Sequence, residues 1–230
     1  YCIPAVPHII CKGFTKDETE YALIDLNFLG VNNVLLLRGD VKTLEPVQDP
    51  ENYHEHATDL QQQVNLFNKG VALDGSHIDG IETPFSYGMA CYPEKHEEAP
   101  NMESDIYYAK EKVKNGASYL VTQMFFDNSK YFAFVERCRK EGIEVPIIPG
   151  IKPIVFKNQL TVLPKIFRSD IPEPFAAELR KCKSDEDAME VGIEWCIGQC
   201  KELIAHGVPS LHFYTLLASE SVRRIAKEIY

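Results

Sequence analysis

The sequence predicts an α/β protein of six strand-then-helix units, and three observations lead to that fold class. Short apolar runs alternate with longer segments whose apolar residues recur at helical spacing. The short runs are apolar almost throughout, as in parallel strands that helices cover on both faces. Polar residues follow nearly every run at its carboxyl end, which is where α/β proteins bind their ligands.

The elements alternate along the whole chain. The predicted strands span residues 7–13, 32–40, 86–94, 118–127, 145–154 and 209–217. The predicted helices span residues 15–30, 56–70, 102–117, 128–142, 185–207 and 219–230. Thr15 starts the first helix and Gly30 ends it, and Asn128 is the expected cap of the fourth. A polar loop at 41–56 and a proline-rich stretch at 160–184, expected to hold short extra helices, interrupt the alternation.

Two architectures suit this order of elements, an open doubly wound sheet and a closed eight-stranded barrel. The number of units favours neither. The polar strand ends favour the barrel, because there they all surround one mouth. We therefore predict a (β/α)8 TIM barrel in which residues 1–230 form a single catalytic domain, approximately units 3 to 8. The first two units are expected to be absent from this chain, and no regulatory domain is predicted.

Composition narrows the range of partners. The net charge is -10, and no basic stripe suggests a nucleic-acid partner. No apolar run is long enough to span a bilayer, so no membrane partner is expected. The seven cysteines are odd in number and scattered, which indicates free thiols in a reducing cytoplasm. Cys196 and Cys200 could share a helix face, but no further ligands lie near them, and we predict no metal site.

The tripeptide Arg38-Gly39-Asp40 follows the apolar run Val34 to Leu37. The planar guanidinium of Arg38 suits a pyrophosphate, and Gly39 lets the backbone approach a ligand closely. Asp40 can accept a hydrogen bond from a nitrogen heterocycle. A structural ion pair that closes a turn is the alternative. An adhesion motif would need an exposed loop in a secreted protein, which the apolar strand and the unpaired cysteines disfavour.

A second group of polar residues follows the strand at 86–94. Tyr92 supplies an aromatic face and His96 a ring that donates and accepts hydrogen bonds. Asp105, Tyr108 and Lys112 lie at helical offsets of three and seven, which predicts that they are close to one helix face. Lys112 is a candidate phosphate ligand. The alternatives are a charged surface turn around His96 and a solvated lysine.

Two further candidates are Gln123 and Lys152. Gln123 is a polar residue within an apolar predicted strand, in the run TQMFF, and its amide can read the edge of a flat heterocycle. The alternative is a core glutamine with satisfied hydrogen bonds. Lys152, in PGIKP, is a candidate Schiff-base lysine, although its prolines indicate a surface turn. No Gly-x-Gly-x-x-Gly motif occurs, so a dinucleotide would not be held in the Rossmann manner.

Several stretches taken together resemble methylenetetrahydrofolate reductase in its short bacterial form. They are NNVLLLRGD, YPEKHEEAP, DIYYAKEKVKNGASYLVTQMFFD, VPIIPGIKPI and LHFYTL, and the likeness runs nearly from end to end. The resemblance implies a TIM barrel with FAD at its carboxyl mouth. It implies that NADH or NADPH reduces the flavin, which then passes hydride to 5,10-methylenetetrahydrofolate in a ping-pong reaction. It also implies a homo-oligomer in the cytoplasm.

The resemblance assigns roles to individual residues. It implies flavin contacts at His8, Arg38, Gly39, Asp40, Ala57, Tyr92, His96, Ala99, Asp105, Tyr108 and Lys112. It implies catalytic and folate-binding roles for Asp40 and Gln123, the latter also meeting the nicotinamide. Gln159 matches a further folate contact.

The chain also departs from the family pattern. Leu217 and Ala218 stand where many members have an Asn-Arg pair at the folate end. Tyr108 replaces an asparagine, Glu111 a basic flavin contact and Leu163 an aromatic residue. The family's general-acid glutamate and a threonine near the flavin lie on two strands that this chain lacks, so we expect an incomplete copy. Two alternatives follow: a flavin-binding barrel inactive on folate, and a Schiff-base lyase that uses Lys152.

Overall fold

The computed structural model describes residues 3–39, 49–81, 83–216 and 218–230. Asp40 and Leu217 therefore lie outside the described residues. The chain forms two compact units, which we describe one at a time. The first contains Tyr1–Ala90 and Glu111–Tyr119, and the second contains Cys91–Lys110 and Leu120–Tyr230.

Strands and helices follow each other in the predicted order. The strands are β1 (His8–Ile10), β2 (Asn33–Leu37), β3 (Ser86–Cys91), β4 (Tyr119–Thr122), β5 (Ile147–Ile148), β6 (Gly150–Ile151) and β7 (His212–Phe213). The helices are α1 (Lys16–Phe28), α2 (Ala57–Asn68), α3 (Met102–Lys114), α4 (Asn128–Lys140), α5 (Gln159–Phe167), α6 (Glu173–Lys181), α7 (Asp185–Ala205) and α8 (Ser219–Ile229), with a 3-10 turn at Pro50–Asn52. No helix within the described ranges is both long enough and apolar enough to cross a membrane.

The first unit is built on the parallel strands β1, β2 and β3. Leu35 of β2 pairs with His8 on one side and with Gly88 on the other. Leu36 and Met89 are fully buried, as expected for parallel strands covered on both faces. α2 packs against β2 and against α1. The first unit therefore has the parallel α/β construction that the apolar runs predict.

The second unit contains two parallel strand pairs and most of the helices. β4 pairs with β5, and β6 pairs with β7. The predicted strand at 145–154 is divided in two at Pro149, which has no N–H to continue a ladder. α7 packs against α4, α6 and α8, and Trp195 on α7 stacks on Phe175 of α6 with ring centroids 4.5 Å apart. The short helices α5 and α6 confirm the expectation for residues 160–184.

The caps of two helices show where local sequence suffices. The Thr15 hydroxyl accepts the N–H of Glu18, whose carboxylate accepts the N–H of Thr15, so a complete capping box starts α1. The prediction that Asn128 caps α4 is wrong. Asp127 is the cap, because its carboxylate accepts the N–H of Ser129 at 2.9 Å. Asn128 is buried instead and donates to the carbonyl oxygen of Gln199 on α7 at 3.0 Å.

The cysteines agree with the prediction of free thiols. The six described cysteines are free and buried. Cys196 and Cys200 do share a face of α7, with their sulfur atoms 4.0 Å apart.

The parallel strand pairs confirm the α/β class. Closure of the strands into an eight-stranded barrel stays a prediction.

Two glycines of α7 allow a matched test of packing in the second unit. A Cβ at Gly192 would overlap the backbone carbonyl of Ile154, whereas a Cβ at Gly198 would meet nothing within 4 Å. We expect Gly192→Ala to lower the free energy of unfolding by roughly 2 kcal/mol or more, because backbone must move. Gly198→Ala should raise it by up to about 1 kcal/mol through helix propensity. Urea unfolding followed by circular dichroism measures both, and equal effects would contradict the close approach.

Candidate functional site

In the first unit, Arg38 and Gly39 follow β2 where its ladder with β1 ends. The N–H of Lys12 donates to the carbonyl of Arg38 at 3.3 Å. The Arg38 Nε donates to the carbonyl of Glu55 at 3.1 Å, which orients the guanidinium. Gly39 has a φ of +85°, and a Cβ there would lie 3.6 Å from the Lys12 carbonyl. Only a glycine adopts this turn without strain, so the sequence at the strand end fits a close backbone approach.

The structure corrects one position in the same unit. We predict His8 among the polar groups at a carboxyl strand end, but His8 is the first residue of β1 and is exposed. That placement was wrong because the apolar residues of the strand, Ile9 and Ile10, follow His8 and do not precede it. Ala57 is the first residue of α2 and is half-buried.

Lys112 is not the solvated lysine of the alternative interpretation. It is half-buried on the last turn of α3, and its ammonium group donates to the carbonyl of Ala90, near the end of β3, at 2.8 Å. The Lys112 carbonyl accepts the side-chain amide of Gln61 at 2.7 Å. Its charge is therefore held beside a carboxyl strand end, as a phosphate-binding role requires.

In the second unit, four predicted residues form one connected cluster after β3. The rings of Tyr92 and His96 meet edge to face, with centroids 4.6 Å apart. The buried carboxylate of Asp105 accepts the N–H of His96 at 2.7 Å. The N–H of Ala99 donates to the carbonyl of His96 at 3.1 Å, and the N–H of Glu98 donates to His96 Nδ1 at 3.2 Å. In the last contact Nδ1 is the hydrogen-bond acceptor.

Tyr108 does not join that cluster. Asp105 is buried, whereas Tyr108 is 55% exposed and its ring packs on Tyr107. α3 contains both residues, and residues three apart on a helix differ by about 60° in direction, so they are close to one face as predicted. The buried part of that face ends between them.

The two predicted glutamines are both held by backbone N–H groups. Gln123 comes directly after β4 and is half-buried, so it is not a core glutamine. Its N–H donates to the carbonyl of Cys91 at 2.8 Å, and its side-chain oxygen accepts the N–H of Met124 at 2.9 Å. Gln159 begins α5, and its side-chain oxygen accepts the N–H groups of Val155 and Phe156 at 2.7 and 3.1 Å. The amide nitrogens of both are the parts that remain to meet a ligand.

Lys152 does not lie in a surface turn, as its flanking prolines predict. It follows β6 and is 3% exposed, and its ammonium group donates to the carbonyl of Tyr214 at 3.2 Å. Burial lowers the pKa of this amine below its usual range. A neutral amine suits a Schiff-base nucleophile, but a side chain this deeply buried is screened from an aldehyde substrate. The structure thus weakens the lyase alternative.

Glu94 lies in the loop after β3, between Tyr92 and His96, and the sequence analysis did not identify it. It is half-buried, and the N–H of Asp170 donates to both of its carboxylate oxygens at 3.3 Å. Burial and the nearby charge of Asp170 raise the pKa of Glu94 to about 7. In the sequence, Glu94 is one of several charges in a turn. Nothing local distinguishes it, because its partner lies 76 residues away.

Within each unit taken by itself, the chemistry of these groups fits a part of FAD. The first unit supplies two cations at strand ends, Arg38 and Lys112, which suit a pyrophosphate. The second supplies the Tyr92–His96 ring pair, which suits an adenine or ribityl group, and the amide of Gln123, which suits a heterocycle edge. Among the described residues, no group of three His, Cys, Asp or Glu side chains is placed to hold a metal ion.

Comparison with known proteins agrees with the resemblance. The family model for methylenetetrahydrofolate reductase matches residues 1–230. A Caenorhabditis elegans protein named probable methylenetetrahydrofolate reductase (NADPH) is 33% identical over 100% of this chain, and a Salmonella typhimurium 5,10-methylenetetrahydrofolate reductase is 31% identical over 95%. An uncharacterized Clostridium thermocellum protein that binds two copies of 5-methyl-5,6,7,8-tetrahydrofolic acid aligns with 98% of this chain and 95% of its own, at 14% identity and a TM-score of 0.47. That structural likeness is too weak to support an argument.

The relatives differ greatly in length. The chain spans 33% of the Caenorhabditis elegans protein and 37% of an Arabidopsis thaliana relative named methylenetetrahydrofolate reductase (NADH) 1, to which it is 30% identical over 96% of its residues. It spans 67% of the Salmonella protein.

The buried amine of Lys152 should make stability depend on pH. The pKa of Lys152 in the folded protein lies below 10.5, its ordinary value. Between these two values the unfolded chain binds more protons than the folded protein, so the free energy of unfolding of the wild type rises with pH across this window. Lys152→Met lacks this gain. Its free energy of unfolding minus that of the wild type should therefore be lower at about pH 9.5 than at about pH 7. Urea unfolding at both values measures it.

Lys157→Met is the matched control, because Lys157 is exposed. It should leave the difference from wild type the same at both pH values. A difference for Lys152→Met that does not change with pH would contradict the burial of a titrating amine.

Proposed function

The chain belongs to the methylenetetrahydrofolate reductase family, and from that premise we propose that it reduces 5,10-methylenetetrahydrofolate to 5-methyltetrahydrofolate with NADH or NADPH and FAD. The observation that carries the proposal is the cluster after β3. Tyr92, His96, Ala99 and Asp105, four positions at which the resemblance implies flavin contacts, are joined by hydrogen bonds and ring contact. These contacts bring the four positions together in one cluster.

FAD, when bound, would supply the hydride carrier between the nicotinamide and the folate. The residues of the chain would bind and orient it. Arg38 and Lys112 offer charge for the pyrophosphate, and the Tyr92–His96 pair offers an aromatic edge and face. Asp40, which lies outside the described residues, is proposed to contact both the flavin and the pterin.

Gln123 is proposed to contact both substrates in turn. Its side-chain oxygen is occupied by the N–H of Met124, so the amide presents N–H donors to a ligand. The carboxamide of a nicotinamide and the ring carbonyl of a pterin are both acceptors, and one donor can serve either. This supports a ping-pong order in which the two substrates use one place successively.

The proposal includes the architecture that such a site needs. Parallel strands followed by polar residues support a barrel with its ligands at the carboxyl mouth. We keep the closed (β/α)8 barrel, the homo-oligomer and the cytoplasmic location as predictions from the resemblance.

A second candidate function is a protein that binds flavin but does not turn over folate. Ala218 favours it, because this residue, directly before α8, stands where many family members carry an arginine for the folate. Ala218 offers no charge to a carboxylate. The two candidates share the flavin site and differ only in the second half-reaction.

Flavin uptake and its two half-reactions test these candidates in order. We expect the protein to bind FAD, and anaerobic NADH or NADPH to bleach its absorbance at about 450 nm. If 5,10-methylenetetrahydrofolate then restores the colour, the reductase proposal holds. If the colour returns only with oxygen, the flavin-binding candidate replaces it, and failure to take up FAD at all would refute both.

Gln123→Ala should slow both half-reactions, because one amide is proposed to meet both substrates. Loss of one hydrogen bond predicts a fall of about tenfold in each rate, with unchanged FAD affinity. Gln159→Ala is the contrasting variant, since Gln159 is proposed to contact folate only and should affect the second half-reaction alone. Anaerobic stopped-flow measurements separate the halves. Equal bleaching rates in Gln123→Ala and wild type would refute the shared role.

A further inference from the structure

The loop of residues 92–101, here called the β3–α3 loop, is tied to a distant segment of the second unit. That segment, residues 168–170, connects α5 to the proline-rich start of α6. Asp170 donates its N–H to the carboxylate of Glu94, and the Arg168 Nε lies 3.6 Å from a carboxylate oxygen of Glu97. Two contacts thus join the same two pieces of chain.

The segment itself is firmly anchored. The Ser169 side chain is 2% exposed, and its hydroxyl donates to the carbonyl of Met124 at 2.7 Å. Met124 follows Gln123 at the end of β4, so the tie fixes the β3–α3 loop against a strand end. The neighbouring Arg168 adopts a left-handed conformation at φ +59°, which turns the chain as α5 ends.

The loop in turn is internally constrained around the ring pair. Lys95 has a left-handed φ of +79°, and its ammonium group donates to the carbonyl groups of His96 and Ala99 at 3.2 and 2.6 Å. A left-handed lysine is strained and persists only where its surroundings hold it. Glu94 lies between Tyr92 and Lys95, and Lys95 bonds to the carbonyl of His96. A shift of Glu94 would therefore move the rings of both Tyr92 and His96.

We propose that Glu94 is a positioning residue, whose carboxyl group holds the β3–α3 loop against residues 168–170 and so couples a proton to the flavin affinity of Tyr92 and His96. This inference rests on the proposed function, because it assumes that the loop binds flavin. Glu94 itself need not touch the cofactor.

The charges around Glu94 set the direction of the effect. From other elements, Asp170 and Asp127 repel its ionised form and Lys130 attracts it, while Arg168 lines the same open pocket of about 470 Å³. From its own loop, Lys95, Glu97 and Glu98 also line that pocket. The Asp170 N–H bond and the charge of Lys130 favour the ionised form, but burial and the repulsion by Asp170 outweigh them, so the folded loop favours a protonated Glu94.

The sign of the pH dependence follows from this preference. A carboxyl group whose pKa is raised from 4.5 to about 7 in the folded, tied state contributes most stability at low pH and loses that contribution as pH rises through about 7. Ionised Glu94 faces Asp170 and loosens the loop. Flavin affinity of the wild type should therefore be roughly threefold to tenfold tighter near pH 6 than near pH 8.5.

The test compares FAD dissociation constants, measured by flavin fluorescence, in the wild type and three variants at both pH values. Glu94→Gln is neutral, still accepts the Asp170 N–H, and should keep the tight affinity with no pH dependence from this group. Glu94→Ala removes the acceptor and should bind weakly at both values. Glu144→Gln, which makes the same charge change at an exposed position away from the loop and its pocket, should retain the wild-type dependence.

A second measurement does not need flavin. The thermal unfolding midpoint of the flavin-free protein should fall between about pH 5 and about pH 7.5 more steeply in wild type than in Glu94→Gln. Parallel pH profiles for these two proteins, in affinity or in unfolding, would overturn the role of Glu94. If no protein binds FAD at any pH, the proposed function fails, and the unfolding profiles still decide whether Glu94 holds the loop.

Discussion

Thr122 joins three strands of the second unit, and the positions of the polar residues beyond those strands depend on it. This fully buried residue ends β4, its hydroxyl oxygen accepts the N–H of Gly150 at 2.8 Å, and its carbonyl accepts the hydroxyl of Tyr214 at 2.8 Å. A Cβ at Gly150 would overlap the Thr122 carbonyl and lie 2.6 Å from the Tyr214 ring. The close approach of these strands thus requires the Thr122 hydroxyl, the missing side chain of Gly150 and the phenol of Tyr214 together. Gln123 and Lys152 directly follow β4 and β6, so this approach sets their positions.

Backbone N–H groups, more than side chains, hold the candidate site in place. Asp105, Glu94, Gln123 and Gln159 each accept an N–H from a loop at a strand or helix end. Loops leave many backbone donors without a ladder partner, and a buried donor without an acceptor is costly. Polar side chains at strand ends therefore have two uses at once, ordering the loop and presenting the remaining part of the same group to a ligand.

The elements were predictable because they rest on local chemistry, and the errors arose where distant contacts decide. Helical spacing and the Thr15 capping box define α1 within the sequence itself. Asn128 and Asp127 are both good caps, and only packing against α7 selects between them. The prolines beside Lys152 indicate exposure, but it is buried and bonded to the carbonyl of Tyr214, which is distant in sequence. The loop cluster came from the resemblance, whereas the tie at Glu94 depends on a contact that no local pattern records.

The relation between burial and charge explains why the site separates its ionisable groups. Lys152 and Glu94 both follow strands, and burial disfavours the charged form of each, so the pKa of the lysine falls and that of the glutamate rises. Lys152 has a carbonyl partner and almost no exposure, which makes its amine part of the scaffold. Glu94 is half-buried beside an open pocket, so water can deliver and remove its proton without unfolding. Of the two, Glu94 is the one that borders an open pocket and has a pKa of about 7, which is why a proton-linked loop position is assigned to it.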